Sequence, residues 1–146
     1  MDTPSSAAED LVRAAGALSR WASTQAGLGA PSGVFRLLAI VEERGPIRIG
    51  DLAHADQTSQ PAVTRQVGRL ESRGWVERDA DPDDARAILV AITPSGRAAL
   101  EKARRSRGEA LTRIMDAAGV AESRVRDAAD LLEQLLQAAS AAAGKE

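Results

Sequence analysis

A chain of 146 residues with 27% charged residues, 44% hydrophobic residues and a formal charge of −2 is sized for one domain, or for a small domain with an oligomerisation element, and not for two full domains. It holds no cysteine and one histidine, which excludes disulfides, thiolate nucleophiles, cysteine-held zinc or iron–sulfur clusters and a histidine-rich metal or catalytic site. Its apolar runs, such as 88–92, fall far short of the ~20 residues that span a bilayer, and MDTPSSAAED lacks the basic stretch and apolar core of a secretory signal, so a cytoplasmic protein with no membrane partner is expected.

Aromatic residues make up 2% of the chain and about thirty alanines fill the space, which favours closely packed helices. From Glu9 to Thr24 the positions Leu11, Ala15, Leu18 and Ala22, joined by Trp21, recur at helical steps and predict a first helix. GLGAPSG, residues 27–33, breaks it. Val34, Phe35, Leu38 and Val41 mark a second helix ended by Gly45 and Pro46, and a short third helix fits Gly50 to Ala55. In TSQPAVTRQVGRLESRG, residues 58–74, Ser59 can cap a fourth helix, Pro61 falls in its first turn, Val63, Val67 and Leu70 face inward, and Gly74 stops it.

WVERDA and AILVAIT then read as two strands of a β-hairpin joined by the loop DPDDAR, residues 81–86. Thr93 can cap a long helix with Pro94 at its first position, running to about Ala118 and turning near Gly119. A last helix carries Val125, Ala128, Ala129, Leu132, Leu135, Leu136 and Ala139, a stripe longer than a small core needs. The N-terminal lead and the tail AASAAAG are expected to fray. The fold class is therefore mainly α with a small β-hairpin wing.

Two helices joined by a tight turn and followed by a hairpin form a winged helix-turn-helix, whose second helix can enter a DNA major groove. Groove entry requires short polar groups and arginine on the exposed N-terminal half of that helix. Ser59, Gln60, Thr64 and Arg65 meet the requirement, and Arg69 and Arg73 extend the basic face toward phosphate; a plain solvated face would show the same charge spacing. Residues 58–74 hold three arginines against one glutamate, so local charge suffices in a slightly acidic chain. In the wing loop Asp81, Asp83 and Asp84 would repel phosphate, whereas Arg86 can reach a minor groove with Asp84 holding its side chain extended; the same pair also reads as an exposed salt bridge worth ~0–1 kcal/mol.

TSQPAVTRQVGRLESRGWVER followed by DPDDARAILVAITPSG resembles the multiple antibiotic resistance regulator (MarR) family, whose hallmark is matched by Asp84, Arg86, Leu89, Ile92, Thr93, Pro94 and Gly96. The resemblance extends more loosely from Val34 through GPIRIGDLA to the final helices. It implies a homodimeric, ligand-responsive transcription regulator, usually a repressor, that binds a pseudo-palindromic operator in double-stranded DNA. It further implies major-groove positions at Ser59, Gln60, Pro61, Thr64 and Arg65, a minor-groove position at Arg86 oriented by Asp84, and terminal helices that interlock two subunits. On that plan residues 1–30 and 97–146 serve dimerisation and residues 31–96 read DNA. Where the family often has Leu, Gly and Val between its two DNA-reading helices, this chain has Asp56, Gln57 and Thr58, and a carboxylate there is expected to weaken DNA affinity slightly.

Related regulators take small aromatic compounds between their helices, so a small aromatic or anionic effector is implied; Trp21 is open to two readings, packing or a pocket wall. Trp75 is expected to pack the hairpin onto the helices, and His54 to lie exposed. EKARRSRGEALTR, residues 101–113, is basic and is open to two readings, approach to phosphates or, the favoured one, one solvated side of a long helix. No catalytic triad, phosphate cradle or cofactor motif is identifiable, so no enzyme activity is expected. The rival reading is a helical dimer using the winged module as a protein-interaction adaptor, for which both Arg65 and Arg86 would be superfluous.

Overall fold

The computed structural model describes residues 6–27 and 32–143. In chain order they form α1 (Ser6–Gln25), α2 (Ser32–Arg44), β1 (Ile47–Arg48), α3 (Ile49–Ala55), α4 (Gln60–Ser72), β2 (Val76–Asp81), β3 (Asp84–Ile92), α5 (Pro94–Ala118) and α6 (Glu122–Ala143). The chain groups into two compact units, Met1–Gly108 and Glu109–Glu146. Among the described residues no helix is long and apolar enough to cross a membrane.

The first unit owes its core to α2, α3, α4 and the sheet. Leu37, Leu38, Val41, Leu52, Val63, Val67, Leu70 and Val90 are wholly removed from solvent, each such side chain contributing about 1.5–3 kcal/mol by burial. The spacing of Val63, Val67 and Leu70 turns one stripe of α4 inward. Its N-terminus is set by Ser59, extended at φ −79° and ψ 148°, whose hydroxyl accepts from the Ala62 amide at 3.4 Å. Pro61 sits in the first turn, where its missing N–H costs no helical bond.

The predicted hairpin is present and gains a third strand, while the predicted loop and tail are corrected. The hairpin is the larger part of a three-stranded antiparallel sheet in the order β1-β3-β2, with Ile47 opposite Val90 and Arg48 opposite Leu89; two residues are too few to show a strand's alternation. The loop is only Pro82–Asp83, because β2 and β3 run on to pair Asp81 with Asp84 beyond an irregularity at Ala80–Asp81, so Arg86 lies on a strand and not in a six-residue loop. The alanine-rich tail, expected to fray, continues α6 through Ala143. α2 also begins at Ser32, inside the predicted break, while residues 1–5 and 28–31 of the expected lead and break lie outside the described residues.

α3 and α4 end in the same way. At α4 the amides of Gly74 and Trp75 donate to the carbonyls of Glu71 and Leu70 at 2.8 and 3.0 Å, a closure that needs a left-handed residue, and Gly74 has φ +70°. At α3 the amides of Gln57 and Thr58 donate to His54 and Ala53 at 3.1 and 3.0 Å, but the left-handed residue is Gln57, at φ +52°. A side chain there costs about 1–2 kcal/mol.

The end of α4, the sheet and α5 meet at one junction. The Thr93 hydroxyl donates to the Gly74 carbonyl at 2.6 Å and accepts from the Gly96 amide at 3.0 Å, while the Thr93 amide donates to the Trp75 carbonyl at 3.0 Å. Thr93 thereby caps α5, as its Thr-Pro sequence predicts. A Cβ on Gly96 would overlap the Trp75 carbonyl oxygen and lie 2.9 Å from Ile92 Cγ1, and the oxygen is held in its own hydrogen bond.

Gly96→Ala is accordingly expected to lower stability by about 3 kcal/mol, read as a fall in the urea midpoint at unchanged slope; a shift within error would show the junction to be pliable. Gln57→Gly is expected to raise stability by roughly 0.5–1 kcal/mol, the relief of left-handed strain less the added freedom of an unfolded glycine. The same titration checks it, and a lower midpoint would contradict it.

Candidate nucleic-acid interface

The helix-turn-helix is α3, the turn Asp56–Thr58 capped by Ser59, and α4. Burying Val63, Val67 and Leu70 leaves Ser59, Gln60, Pro61, Thr64, Arg65 and Arg69 exposed together on the opposite side of α4. The Thr64 hydroxyl donates to the Gln60 carbonyl at 2.8 Å, which fixes its rotamer. The guanidinium groups of Arg65 and Arg69 make no ion pair among the described residues. The single acid of α4, Glu71, is instead held by Arg78 of β2 at 3.0 Å. Arg73, also predicted on this face, stacks over the Trp75 ring at 5.1 Å.

The wing reads differently from its sequence. Asp81 is buried and turned inward: its Oδ2 accepts from Arg48 Nε at 2.7 Å and its Oδ1 from the Asp83 amide at 2.9 Å. The Asp83 N–H and the Arg48 guanidinium, opposed by burial, hold its pKa below the ordinary carboxylate value, and Asp81 in turn raises that of Arg48. This pairing therefore stabilises the folded wing above the ordinary carboxylate range and is lost as pH falls through the depressed value. Asp84 accepts from the backbone amide of Arg86 at 3.1 Å, so it orients the strand and not, as expected, the guanidinium. The Arg86 side chain makes no ion pair among the described residues. It is brought to α4 nonetheless: Arg86, Ala87 and Ile88 share a groove of about 370 Å³ with Arg48, Gly50 and Gln60. A Cβ on Gly50 would stand 3.0 Å from the Gln60 amide nitrogen, so the bare backbone of α3 lets that side chain lie close.

The polar turn is also not what its sequence suggested. Arg36 of α2 donates from Nε and Nη2 to Asp56 Oδ1 and Oδ2 at 2.6 and 3.1 Å. The Asp56 side chain has 0% exposure against 61% for Arg36, so its carboxylate is neutralised inside the fold and does not face a DNA ligand. The hydrogen bonds to Asp56 raise the Arg36 pKa against the effect of burial.

Arg36 belongs as well to a cavity of about 410 Å³ lined by α1, α2 and α5, with Phe35 among the apolar lining residues and Arg20, Arg104 and Arg107 around it. Arg107 lies over the Phe35 ring at 5.6 Å, its Nε is buried without a hydrogen-bond partner, and burial lowers its pKa. Arg104 is taken up by Glu42 and Glu101 at 2.9 and 2.8 Å. The segment read as solvated thus turns two arginines into a cavity; their i, i+3 spacing opposite Phe35 was the available signal. Trp21 is half-buried and does not line this cavity. Trp75 packs at 5.5 Å and 36° on Phe35, and His54 is exposed.

Residues 32–88 match the MarR family model. The multiple antibiotic resistance protein MarR of Salmonella typhimurium is 34% identical over 77 residues, which cover 53% of this chain and 54% of that protein; the chain spans about half the length of the curated relatives it matches. Among solved structures, a mutant MarR from E. coli superposes with a TM-score of 0.77 at 24% identity, covering 92% of this chain and 99% of that one. A mutant MarR from E. coli complexed with operator DNA gives 0.62 at 25% identity, covering 87% and 94%. With the turn, the reading helix and the three-stranded wing in place, residues 32–88 of the chain are similar to the MarR family of winged helix-turn-helix transcription regulators, and the fold is the one seen in MarR.

Proposed function

We propose that this chain is a cytoplasmic, sequence-specific DNA-binding repressor that grips a pseudo-palindromic operator as a homodimer and is released by a small aromatic or anionic effector. The observation that carries DNA binding is the set of exposed guanidinium groups on α4 and β3, Arg65, Arg69 and Arg86, left without carboxylate partners among the described residues while Glu71 and Asp81 are paired elsewhere. Phosphate and base edges are the partners such groups lack. Ser59, Gln60, Pro61, Thr64 and Arg65 read the major groove, Arg69 contacts phosphate, and Arg86 reaches the minor groove, its strand set by Asp84. The operator complex of the E. coli relative supports the assignment. A protein-interaction adaptor would have no use for three arginines on one module that have no carboxylate partner among the described residues.

Dimerisation through residues 1–30 and 97–146 is supported by apolar side chains that the single chain leaves open. In the first unit these are Val12 and Leu18; in the second they are Ile114, Leu131, Leu135 and Leu136, with Leu136 68% exposed. Stripes of this kind mark association surfaces. A two-fold pair places its reading helices about one DNA turn, roughly 34 Å, apart. For the effector, the cavity at Phe35 supplies an apolar ring and, at Arg107, a cation with no carboxylate partner among the described residues.

Footprinting the intergenic DNA beside this protein's own gene is expected to protect an inverted repeat. On that duplex at fixed salt, Arg65→Ala is expected to lose roughly 1–3 kcal/mol per half-site if it reads a base, and to lose affinity equally on a scrambled duplex if it contacts phosphate. Arg86→Ala is expected to weaken binding with the dimer intact. Unchanged affinity for both variants by fluorescence anisotropy would refute DNA reading by this face. The double substitution Leu131→Glu with Leu135→Glu is expected to give a folded monomer by light scattering, and a well-behaved dimer would refute the placement of the interface.

A further inference from the structure

Arg36 stands between two sites. Its Nε and Nη2 hold Asp56, and the same side chain lines the cavity with Phe35 and Arg107. The dependence is unequal: Arg36 keeps most of its surface in water, whereas the Asp56 carboxylate has none there. An arginine so placed can turn to another anion at little cost, while a carboxylate buried without its partner is strongly disfavoured. Asp56 closes α3, Gln57 follows in a left-handed conformation, and Ser59 caps α4. The segment between the two DNA-reading helices is therefore strained at one residue and anchored to α2 through the residue before it.

We propose that the Arg36–Asp56 pair is the link through which a small organic anion in the cavity loosens the grip on DNA; this rests on the ligand-responsive reading above. Arg107 supplies the first cation, since it has no carboxylate partner among the described residues, and Phe35 supplies the apolar contact. When the guanidinium turns its Nε–Nη2 edge from Asp56 to the anion, both hydrogen bonds to Asp56 are lost. Asp56 must rehydrate, the turn moves with it, and Ser59 and Gln60 lose the position from which they meet a groove. Because coupling is reciprocal, DNA that holds the turn in place keeps Arg36 on Asp56 and opposes the anion by the same factor. The link belongs to this chain, since Leu, Gly and Val at these three positions would offer Arg36 no carboxylate.

The test uses sodium benzoate as the probe, with the full-length dimer and the footprinted duplex. Wild type is expected to bind benzoate by calorimetry and to lose DNA affinity by about fivefold or more when saturated. Asp56→Asn, which keeps the side chain's size and leaves Arg36 solvated, is expected to bind benzoate several-fold more tightly and to show less than a twofold response of DNA affinity. Equal benzoate affinity and an equal DNA response in wild type and Asp56→Asn would overturn the link while leaving ligand response standing. Absence of benzoate binding, or of any DNA response in wild type, would overturn both. Hydrogen exchange on wild type needs no variant to fold: benzoate is expected to speed exchange of the Gln57 and Thr58 amides, and unchanged protection there would overturn the link.

Discussion

One hydroxyl group ties the reading helix, the wing and α5 to each other. Thr93 closes the end of β3, caps α5 and hydrogen-bonds the carbonyl of the glycine that ends α4. Removing it would leave the Gly96 amide and the Gly74 carbonyl without that partner. The junction explains why a glycine must follow two residues after Pro94: the Trp75 carbonyl occupies the volume that a side chain would need. Gly74 and Gly96 are thus required for different reasons, the first by its backbone angle and the second by the closeness of another chain segment. Trp75, fixed through both its amide and its carbonyl, then carries Phe35 against its ring, so the wing, the reading helix and the cavity meet at this junction.

The charge distribution follows a related logic. A chain of net charge −2 can present a cationic face only if its acids are turned away from it or neutralised. Three carboxylates near the interface are neutralised by arginines on neighbouring elements: Asp56 by Arg36, Glu71 by Arg78 and Asp81 by Arg48. Two of these also do mechanical service. Asp81 joins β1 to the tip of the hairpin, and Asp56 joins the turn to α2. The exposed pairs at Arg13–Asp10 and Arg126–Glu122 have no such reach and contribute little.

Most of the fold was legible because it is local. The Ser59 cap, the inward stripe of α4, the stop at Gly74 and the Thr-Pro start of α5 each rest on interactions within five residues, where spacing and residue type are sufficient. The candidate reading face was legible for the same reason, since exposure on a helix follows from which side is buried. What was not legible is where the carboxylates point. Asp81 and Asp56 look alike as loop acids, and their burial is decided by arginines 33 and 20 residues away. β1 escaped because its strand character comes entirely from pairing with β3. The cavity escaped because it is assembled from three helices, each ordinary when read singly.

The polar turn shows how a departure from a family's pattern can be retained without harm to the fold. An apolar residue at position 56 would bury itself with no partner, and a glycine at position 57 would take the left-handed angle without strain. This chain instead has a buried carboxylate that needs Arg36 and a glutamine that resists its own backbone angle. Neither choice adds stability: a buried ion pair commonly does no better than well-packed apolar groups, and Gln57 is less at ease there than glycine. What they add is conditional order, a turn whose geometry holds only while a half-exposed arginine on another helix stays engaged. Conditional order next to a reading helix is the physical requirement for a switch, because a change of partner by one side chain is then enough to shift the balance between two arrangements of the helix.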